Sequence, residues 1–314
     1  MYGGFWYQLR NAFNQRDNSL YKLIAINVIV FFVVLIFRVF LTIGGLGGVY
    51  KASLSWLMMP ASLPKLAIQP WSAFTYMFLH EGVFHILFNM LFLYWFGQIV
   101  YQYIGSRKLA NLYILGGLFG AVFYVLIYNL APYFSGSVDS SMMLGASAGV
   151  FAVVVGAATL TPNTTFFLLL IGPVRIVYIA AFYVILSFAN SIGANAGGEL
   201  SHLGGALLGY LYIVQLRKGR DLGVPVQKVG LFFEGLFSKR SKVKVSYRKA
   251  KAAAESASYT TRPTASGTSS SPKTSKTELA TQEEIDRILD KIAERGYEAL
   301  SKDEKRKLFE FSKK

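Results

Sequence analysis

The stretch HEGVFHILFNMLFLYWFGQIVYQYI, residues 80–104, decides the fold because it joins polar side chains to a long apolar run. A helix needs roughly 20 residues to cross the hydrocarbon of a bilayer, and the run from 83 to 104 is long enough. His85 and Asn89 lie inside this run, and His80 lies just before it. Polar groups at membrane depth are costly, so they mark a functional site by default. We therefore predict a membrane helix that carries part of a site.

The whole chain has the composition of a membrane protein, with 53% hydrophobic and 16% charged residues. We predict an all-α, polytopic fold with six transmembrane helices. The last three apolar runs are too short for a full span, so we expect the longer helices to enclose them beside a water-filled cavity. Three prolines interrupt residues 42–79, which we interpret as an interfacial loop. The other five runs are 23–41, 109–130, 146–160, 174–188 and 203–216.

The positive charges predict an orientation. Lys and Arg precede the first run, lie between the second and third, follow the fourth, and number 23 from Arg217 onward, whereas the third and fifth connections carry none. By the positive-inside rule both termini are cytoplasmic, and the membrane is an inner or plasma membrane. Helices two, four and six then enter from the outer side. His85, Ser147 and His202 are therefore expected together in the outer leaflet.

Ser147 is the candidate nucleophile. It lies in Gly145-Ala146-Ser147-Ala148-Gly149 at the predicted start of a helix, where free backbone N–H groups could stabilise an oxyanion. A serine hydroxyl needs an adjacent base, and His202 is the natural candidate.

The glycines around these two residues suggest how they could meet. Gly145 and Gly149 on one helix, with Gly205 and Gly209 on the other, form small-xxx-small pairs that permit close helix packing. The alternative is that the glycines serve packing only and that the serine makes an interhelical hydrogen bond. An isolated G-x-S-x-G in a membrane helix favours that alternative.

The second helix favours catalysis. His85 and Asn89 are four residues apart, about 40° around a helix, and both can donate hydrogen bonds to a developing negative charge. Alone, such a pair is more often structural; together with Ser147 and His202 it predicts an oxyanion hole. His80 is expected to be structural and to hold the first loop.

Metal and thiol chemistry are the rival reactions. The chain has no cysteine, so it offers no thiol nucleophile or Cys-based zinc site. His80-Glu81 and His85 look like the zinc motif H-E-x-x-H, but the spacing is one residue too long for both histidines to share a helix face. We expect no metal and no other cofactor.

These residues resemble the rhomboid family of intramembrane serine proteases. The resemblance rests on residues 80–90, on the serine motif at 145–149 and on the His-Leu-Gly-Gly of 202–205, in the family's order, and it covers roughly residues 20–217. It implies a six-helix bundle in which Ser147 and His202 form a dyad without an acid partner. The Ser147 amide, His85 and Asn89 would form the oxyanion hole. Phe151 matches the aromatic residue that packs on the catalytic histidine.

The sequence departs from the family's pattern in two places. Ala148 stands where many members have glycine, and the Trp-Arg pair frequent in their first loop is missing.

A rhomboid-like protein that binds membrane clients without cleaving them is the non-enzymatic alternative, although such proteins lack the serine or the histidine. A transporter is disfavoured because no inverted repeat is visible and because the four acidic residues before Arg217 are all expected in terminal or loop regions.

Four segments are predicted: a cytoplasmic stretch (1–20), the membrane protease domain (21–217), a basic interfacial segment and flexible linker (218–280), and a small helical hairpin (281–314). Substrates would be transmembrane proteins in the lipid bilayer, and nucleic acid is disfavoured because no matching module is present. The pairs Thr281 with Glu284 and Ser301 with Glu304 fit capping boxes. The hairpin is too small to form a large core, so a cytoplasmic partner, the membrane or a second copy is expected to cover it. Its predicted apolar residues are Ile285, Ile288, Leu289, Ile292, Leu300, Leu308 and Phe309.

Overall fold

A computed structural model describes residues 18–168, 171–237, 282–295 and 297–312 of the chain. They fall into two compact units, the first within residues 1–242 and the second within 243–314. Two short antiparallel strand pairs accompany the helices of the first unit: β1 (Met59–Pro60) with β2 (Met142–Met143), and β3 (Thr165–Leu168) with β4 (Gly172–Arg175). The helices are α1 (Ser19–Ile43), α2 (Gly47–Ser55), α3 (Leu63–Ile68), α4 (Ser72–Thr75), α5 (Val83–Ile104), α6 (Ser106–Leu130), α7 (Ser147–Leu160), α8 (Ile176–Ala189), α9 (Ala196–Arg217), α10 (Val224–Phe237), α11 (Gln282–Arg295) and α12 (Lys302–Ser312).

Each of the six apolar runs is helical, as α1, α5, α6, α7, α8 and α9. Among the described residues, α1, α5 and α6 are long and apolar enough to cross a membrane. The apolar helices α7 and α8 have 14 residues each. At 1.5 Å per residue they are about 21 Å long, shorter than the hydrocarbon thickness of about 30 Å. The structure thus confirms a mainly helical fold with three helices that are long and apolar enough to span a membrane.

The chain reverses direction sharply between α5 and α6. Gly105 alone separates the two helices and has a φ of 85°, in the left-handed region that glycine adopts without a steric penalty. The reversal sends α6 back alongside α5. Helices α5, α7 and α9 all begin at the same end of the bundle, because residues near the start of each line one cavity.

The first loop, residues 44–82, is tied to the segment that precedes α7. Strand β1 pairs with β2, so that Met59 lies opposite Met143. The Asn129 side chain donates to the Ala61 carbonyl oxygen at 2.8 Å, and the Ser62 hydroxyl donates to Asp139 at 2.9 Å. The longest helix of this loop, α2, has nine residues and is too short for a span. The loop therefore braces the residues that lead into Ser147.

Helix α7 lies at the centre of the first unit and packs against α5, α6, α8 and α9. Its approach to α9 is so close that a Cβ at Gly205 would collide with the Ala148 carbonyl, and one at Gly209 would lie 2.9 Å from the Ala152 Cα. The prediction that Gly145 and Gly149 form the facing pair is wrong. Gly145 precedes the helix, and Gly149 faces Tyr113 of α6. The α7 residues that contact Gly205 and Gly209 are instead Ala148 and Ala152.

Helix α8 departs from the expectation that the longer helices enclose the short ones. Only Ile176, Ala180 and Ser187 of α8 are buried, and Tyr178 and Phe182 are about three-fifths exposed. Lipid solvates apolar side chains as well as a protein core does, so α8 can lie at the edge of the bundle without penalty. Enclosure holds for α7, whose side chains are largely buried.

We predict that Gly209→Ala lowers the stability of the membrane unit by about 1–3 kcal/mol, since the added methyl must push apart two backbones. The measurement is the unfolding midpoint of the purified protein in detergent. Gly230→Ala in α10 is the matched control, because a Cβ there meets nothing within 4 Å. Equal midpoints for the two variants would contradict the close approach of α7 and α9.

The second unit is a pair of helices, α11 and α12, that pack on each other. Ile285, Ile288 and Leu300 form its buried cluster, with Ile292 and Leu308 against them. The predicted capping box at the start of α12 is confirmed. The Ser301 N–H donates to Glu304 Oε2 at 2.7 Å, and the Glu304 N–H donates to the Ser301 hydroxyl at 3.3 Å. Lys291 adds an ion pair to Glu304 at 3.0 Å.

Two residues of the predicted apolar stripe are not in this core. Leu289 is 48% exposed and Phe309 is 60% exposed. Two packed helices bury only the side chains along the line where they touch. Residues about 100° around either helix from that line face outward. Thr281, Gly296, the linker and the basic run from 239 to 251 lie outside the described residues.

The capping box predicts a pH dependence for α12. The Ser301 N–H and then Lys291 hold the pKa of Glu304 at about 2. The unfolded value is about 4.3, so the stabilisation is fully present above that pH and is lost as pH falls toward 2. We expect the helical Cα chemical shifts of residues 302–305 to diminish over that range in the wild-type protein and to stay constant in Glu304→Gln. A wild-type protein that keeps them unchanged would refute the role of the carboxylate.

Candidate active site

One cavity of about 600 Å³ collects the predicted reacting groups. His85 and Asn89 enter it from α5, Ser147 from α7 and His202 from α9, together with Phe151. These residues are up to 117 positions apart in sequence (202 minus 85) and meet only because alternate helices run in the same direction. The geometry thus brings the serine, the two histidines and the amide into one space.

Ser147 begins α7, where the helix leaves its first N–H groups without intrahelical partners. The turn before it depends on Gly145, whose φ is 135°, and whose N–H donates to the Tyr76 carbonyl at 2.9 Å. A Cβ at Gly145 would lie 3.1 Å from His85 Nε2 and 3.5 Å from Ser147 Oγ. Glycine is therefore required for both the backbone conformation and the free space between these groups.

Ala148, which departs from the usual glycine, fits this site. It is fully buried, and its methyl group meets the place where a Cβ of Gly120 would lie, at 2.6 Å. A side chain at Gly120 would also come within 2.7 Å of the Ser201 carbonyl. The glycine on α6 therefore leaves the volume that the extra methyl occupies.

His85 and Asn89 lie one turn apart at the start of α5. Asn89 is buried, and its amide donates one hydrogen bond to the His85 carbonyl at 2.9 Å. An asparagine amide carries two N–H groups, so the second stays available to a ligand in the cavity. The pair can therefore offer donors from both side chains.

His80 lies behind His85, with its ring edge-on at a centroid distance of 5.1 Å. His80 is buried, and its pKa is lowered to about 4, mainly by burial and to a smaller extent by the neighbouring His85. His80 is therefore neutral near neutral pH and is not among the residues that line the cavity. It precedes α5, so the helical spacing that argued against a zinc pair with His85 does not apply. The described residues contain no group of three or more potential metal ligands.

The imidazole of His202 is held on two sides. Phe151 stacks on it with ring centroids 4.2 Å apart and an angle of 9°. Its Nδ1 lies 3.1 Å from the Ser187 hydroxyl and 3.2 Å from Glu199 Oε2. These contacts occupy Nδ1 and leave Nε2 for the cavity.

Sequence reasoning missed Glu199 and Ser187. The expectation that every acidic residue before Arg217 lies in a terminal or loop region is wrong for Glu199, which is in the first turn of α9. Its position three residues before His202 places it on the same helix face, and this spacing could have revealed it. Ser187 gave no comparable signal, since it comes from a different helix.

The residues that build this cavity lie in a part of the chain that matches a known family. The family described as Rhomboid domain matches residues 67–219, which include every residue discussed above for the site. The resemblance to the rhomboid family is thus shown for residues 67–219. Proteins of this family are usually intramembrane serine proteases.

Three relatives illustrate the similarity of this chain to known proteins. RHOMBOID-like protein 12, mitochondrial, of Arabidopsis thaliana is 31% identical over 154 residues, covering 46% of this chain and 45% of the relative. Rhomboid-like protein 16, chloroplastic, of the same plant is 30% identical over 157 residues, with 46% and 48% coverage. Rhomboid protease GlpG of Salmonella newport (strain SL254) is 35% identical over 81 residues, with 26% and 28% coverage. The chain thus spans less than half the length of these relatives.

A second family matches the C-terminal residues 273–314 and is described as a family of unknown function, DUF6576. Both helices of the second unit fall within this match. The hairpin therefore has a family match of its own, separate from the match at residues 67–219.

Proposed function

We propose that the protein is an intramembrane serine endopeptidase that cleaves membrane proteins within or near the outer ends of their transmembrane segments. One observation carries this proposal: Ser147, His202, His85 and Asn89 come from three helices and line one cavity. Each residue taken alone could be a structural hydrogen-bonding group. Their convergence supplies a nucleophile, a base and oxyanion donors in a single place.

In the proposed reaction, His202 Nε2 takes the proton of Ser147 as the serine oxygen attacks the scissile carbonyl carbon. The carbonyl π electrons move to its oxygen, and the Ser147 amide, His85 and Asn89 donate hydrogen bonds to the resulting oxyanion. His202 then gives the proton to the departing amine, which leaves an acyl-enzyme. Water, activated by the same imidazole, hydrolyses the ester and restores Ser147.

The short helix α7 supports a site below the membrane surface. It is about 9 Å shorter than the hydrocarbon is thick, so its first residue can lie below the surface in contact with a water-filled cavity. From the six apolar helices and the positive-inside rule we infer that the chain crosses the membrane six times, that both termini are cytoplasmic, and that Ser147 lies toward the outer face of an inner or plasma membrane.

A second, apolar cavity suggests the path of the substrate. It has a volume of about 740 Å³ and lies between α5, α8 and the β3–β4 hairpin. Phe88, Phe92 and Tyr183 line both this cavity and the one that contains Ser147. A transmembrane segment could lie in the apolar space and extend an unwound end past these aromatic residues. Helix-weakening residues near the scissile bond are then the expected preference.

For the hairpin of α11 and α12 we propose a docking role, either for a cytoplasmic partner or for a second copy. Leu289, Phe309 and Phe311 are exposed apolar residues among the many charged side chains of α11 and α12, which supports this proposal. The alternative for the whole protein is a weakly active or inactive rhomboid-like protein that binds clients without cleaving them. The Ser147 experiment below separates the two.

We predict that Ser147→Ala and His202→Ala each abolish cleavage of a transmembrane reporter and that the double variant loses no more than either single variant, because the two residues act as a unit. The wild-type protein should react with a fluorophosphonate probe and Ser147→Ala should not. Both variants should elute as the wild type does on size exclusion in detergent. Reporter binding without cleavage or labelling by the wild type would favour the client-binding alternative.

We predict that Asn89→Ala and His85→Ala lower kcat much more than they change KM, since oxyanion donors act mainly in the transition state. Loss of one donor typically costs about 10²-fold or more. Steady-state kinetics on the same reporter make the measurement, and Gln98→Ala, which removes an amide side chain from the same helix outside the cavity, is the control. Wild-type turnover in both site variants would reduce His85 and Asn89 to structural residues.

A further inference from the structure

Glu199 is the feature of the site that the proposed mechanism leaves unused. Its Oε2 lies 3.2 Å from His202 Nδ1, and the two side chains are 18% and 14% exposed. Ser187, which is 2% exposed, contacts the same nitrogen at 3.1 Å. A carboxylate and a hydroxyl thus converge on one nitrogen of one imidazole in an otherwise apolar bundle.

The chemistry of these groups selects a tautomer. An ionised carboxylate only accepts hydrogen bonds, so the nitrogen that faces it must carry the hydrogen. A neutral imidazole has one N–H, and when it is on Nδ1 the lone pair is on Nε2. The arrangement leaves Nε2 as the basic nitrogen that faces the cavity.

We propose that Glu199 is a positioning residue that holds His202 in the Nδ1–H tautomer and stabilises the imidazolium formed when Nε2 takes the Ser147 proton; this rests on the serine protease function proposed above. In that step the Ser147 O–H bond breaks and an Nε2–H bond forms, while Glu199 stays ionised. The positive charge then lies beside a carboxylate instead of alone in an apolar bundle. The site therefore works with an acid partner, in contrast to the dyad that family resemblance implies.

The burial of the pair sets the scale of the expected effect. Hydrogen bonds to charged groups in partly buried sites are worth more than neutral ones, and their loss corresponds to about a 10- to 100-fold change in rate. We expect Glu199→Gln to lower kcat by about this factor while KM for a transmembrane reporter changes little. Glu199→Asp, which keeps the charge on a shorter side chain, should recover part of the loss.

Three controls separate positioning from folding. Asp290→Asn removes one carboxylate from the exposed surface of α11 and should leave cleavage and stability unchanged. Ser187→Ala removes the second contact to Nδ1 and should have a smaller effect than Glu199→Gln if the charge is what matters. Glu199→Gln itself should keep the wild-type unfolding midpoint in detergent, so that its loss of kcat reports positioning and not folding.

The deciding readout does not depend on cleavage. In protein labelled with ¹⁵N-histidine, the His202 signals, identified by their loss in His202→Ala, should show the Nδ1–H tautomer in the wild type and a shift toward Nε2–H in Glu199→Gln. An unchanged tautomer, or wild-type kcat in Glu199→Gln, would overturn the role of Glu199 while leaving the protease function standing. A wild-type protein that neither cleaves nor reacts with the fluorophosphonate would overturn the proposed function, and with it the catalytic role of Glu199.

Discussion

The contact between the backbones of α7 and α9 is the constraint on which the site depends. At Gly205 and Gly209 the α9 backbone meets the carbonyls of Ala148 and Ala152 directly. Apolar side chains gain little by leaving lipid for protein, so close van der Waals contact between backbones must hold such helices together. The same contact sets how far Ser147, at the start of α7, lies from His202 on α9. Packing and chemistry therefore share one interface.

Beside this interface, a tyrosine of the first loop and a tyrosine of α6 hydrogen-bond backbone carbonyl groups. Tyr76 donates to the Gly117 carbonyl at 2.6 Å, and Tyr113 donates to the Met77 carbonyl at 3.1 Å. Both tyrosines join the first loop to α6, and the first loop in turn holds the Gly145 turn through the Tyr76 carbonyl. Unpaired polar groups are costly at this depth, so these bonds position the loop with few alternatives. The Ser147 turn is thereby fixed from outside the bundle as well as from within it.

The asymmetry between α7 and α8 connects packing with access. Helix α7 is buried on most sides and carries the serine, whereas α8 presents exposed aromatic and aliphatic side chains and borders the apolar cavity. Elements with few buried contacts are the ones that open most easily. Yet α8 also supplies Ser187 to His202, so the edge helix reaches the most polar part of the site. A displacement of α8 would change both the apolar cavity and the hydrogen bonding of the imidazole.

The sequence by itself determined the helical membrane fold, because uninterrupted apolar runs have no other stable form in lipid. It also indicated that His85, Ser147 and His202 belong to one end of the bundle, because helices two, four and six must enter from the same side. The capping box of Ser301 and Glu304 was readable for a similar reason, since both partners lie within one turn. Tertiary structure alone decided which small residues face each other, which short helix is exposed, and that Ser187 of α8 reaches Nδ1 of His202. Those features depend on the rotation of each helix about its own axis, and a run that is apolar on all sides carries no signal for that rotation.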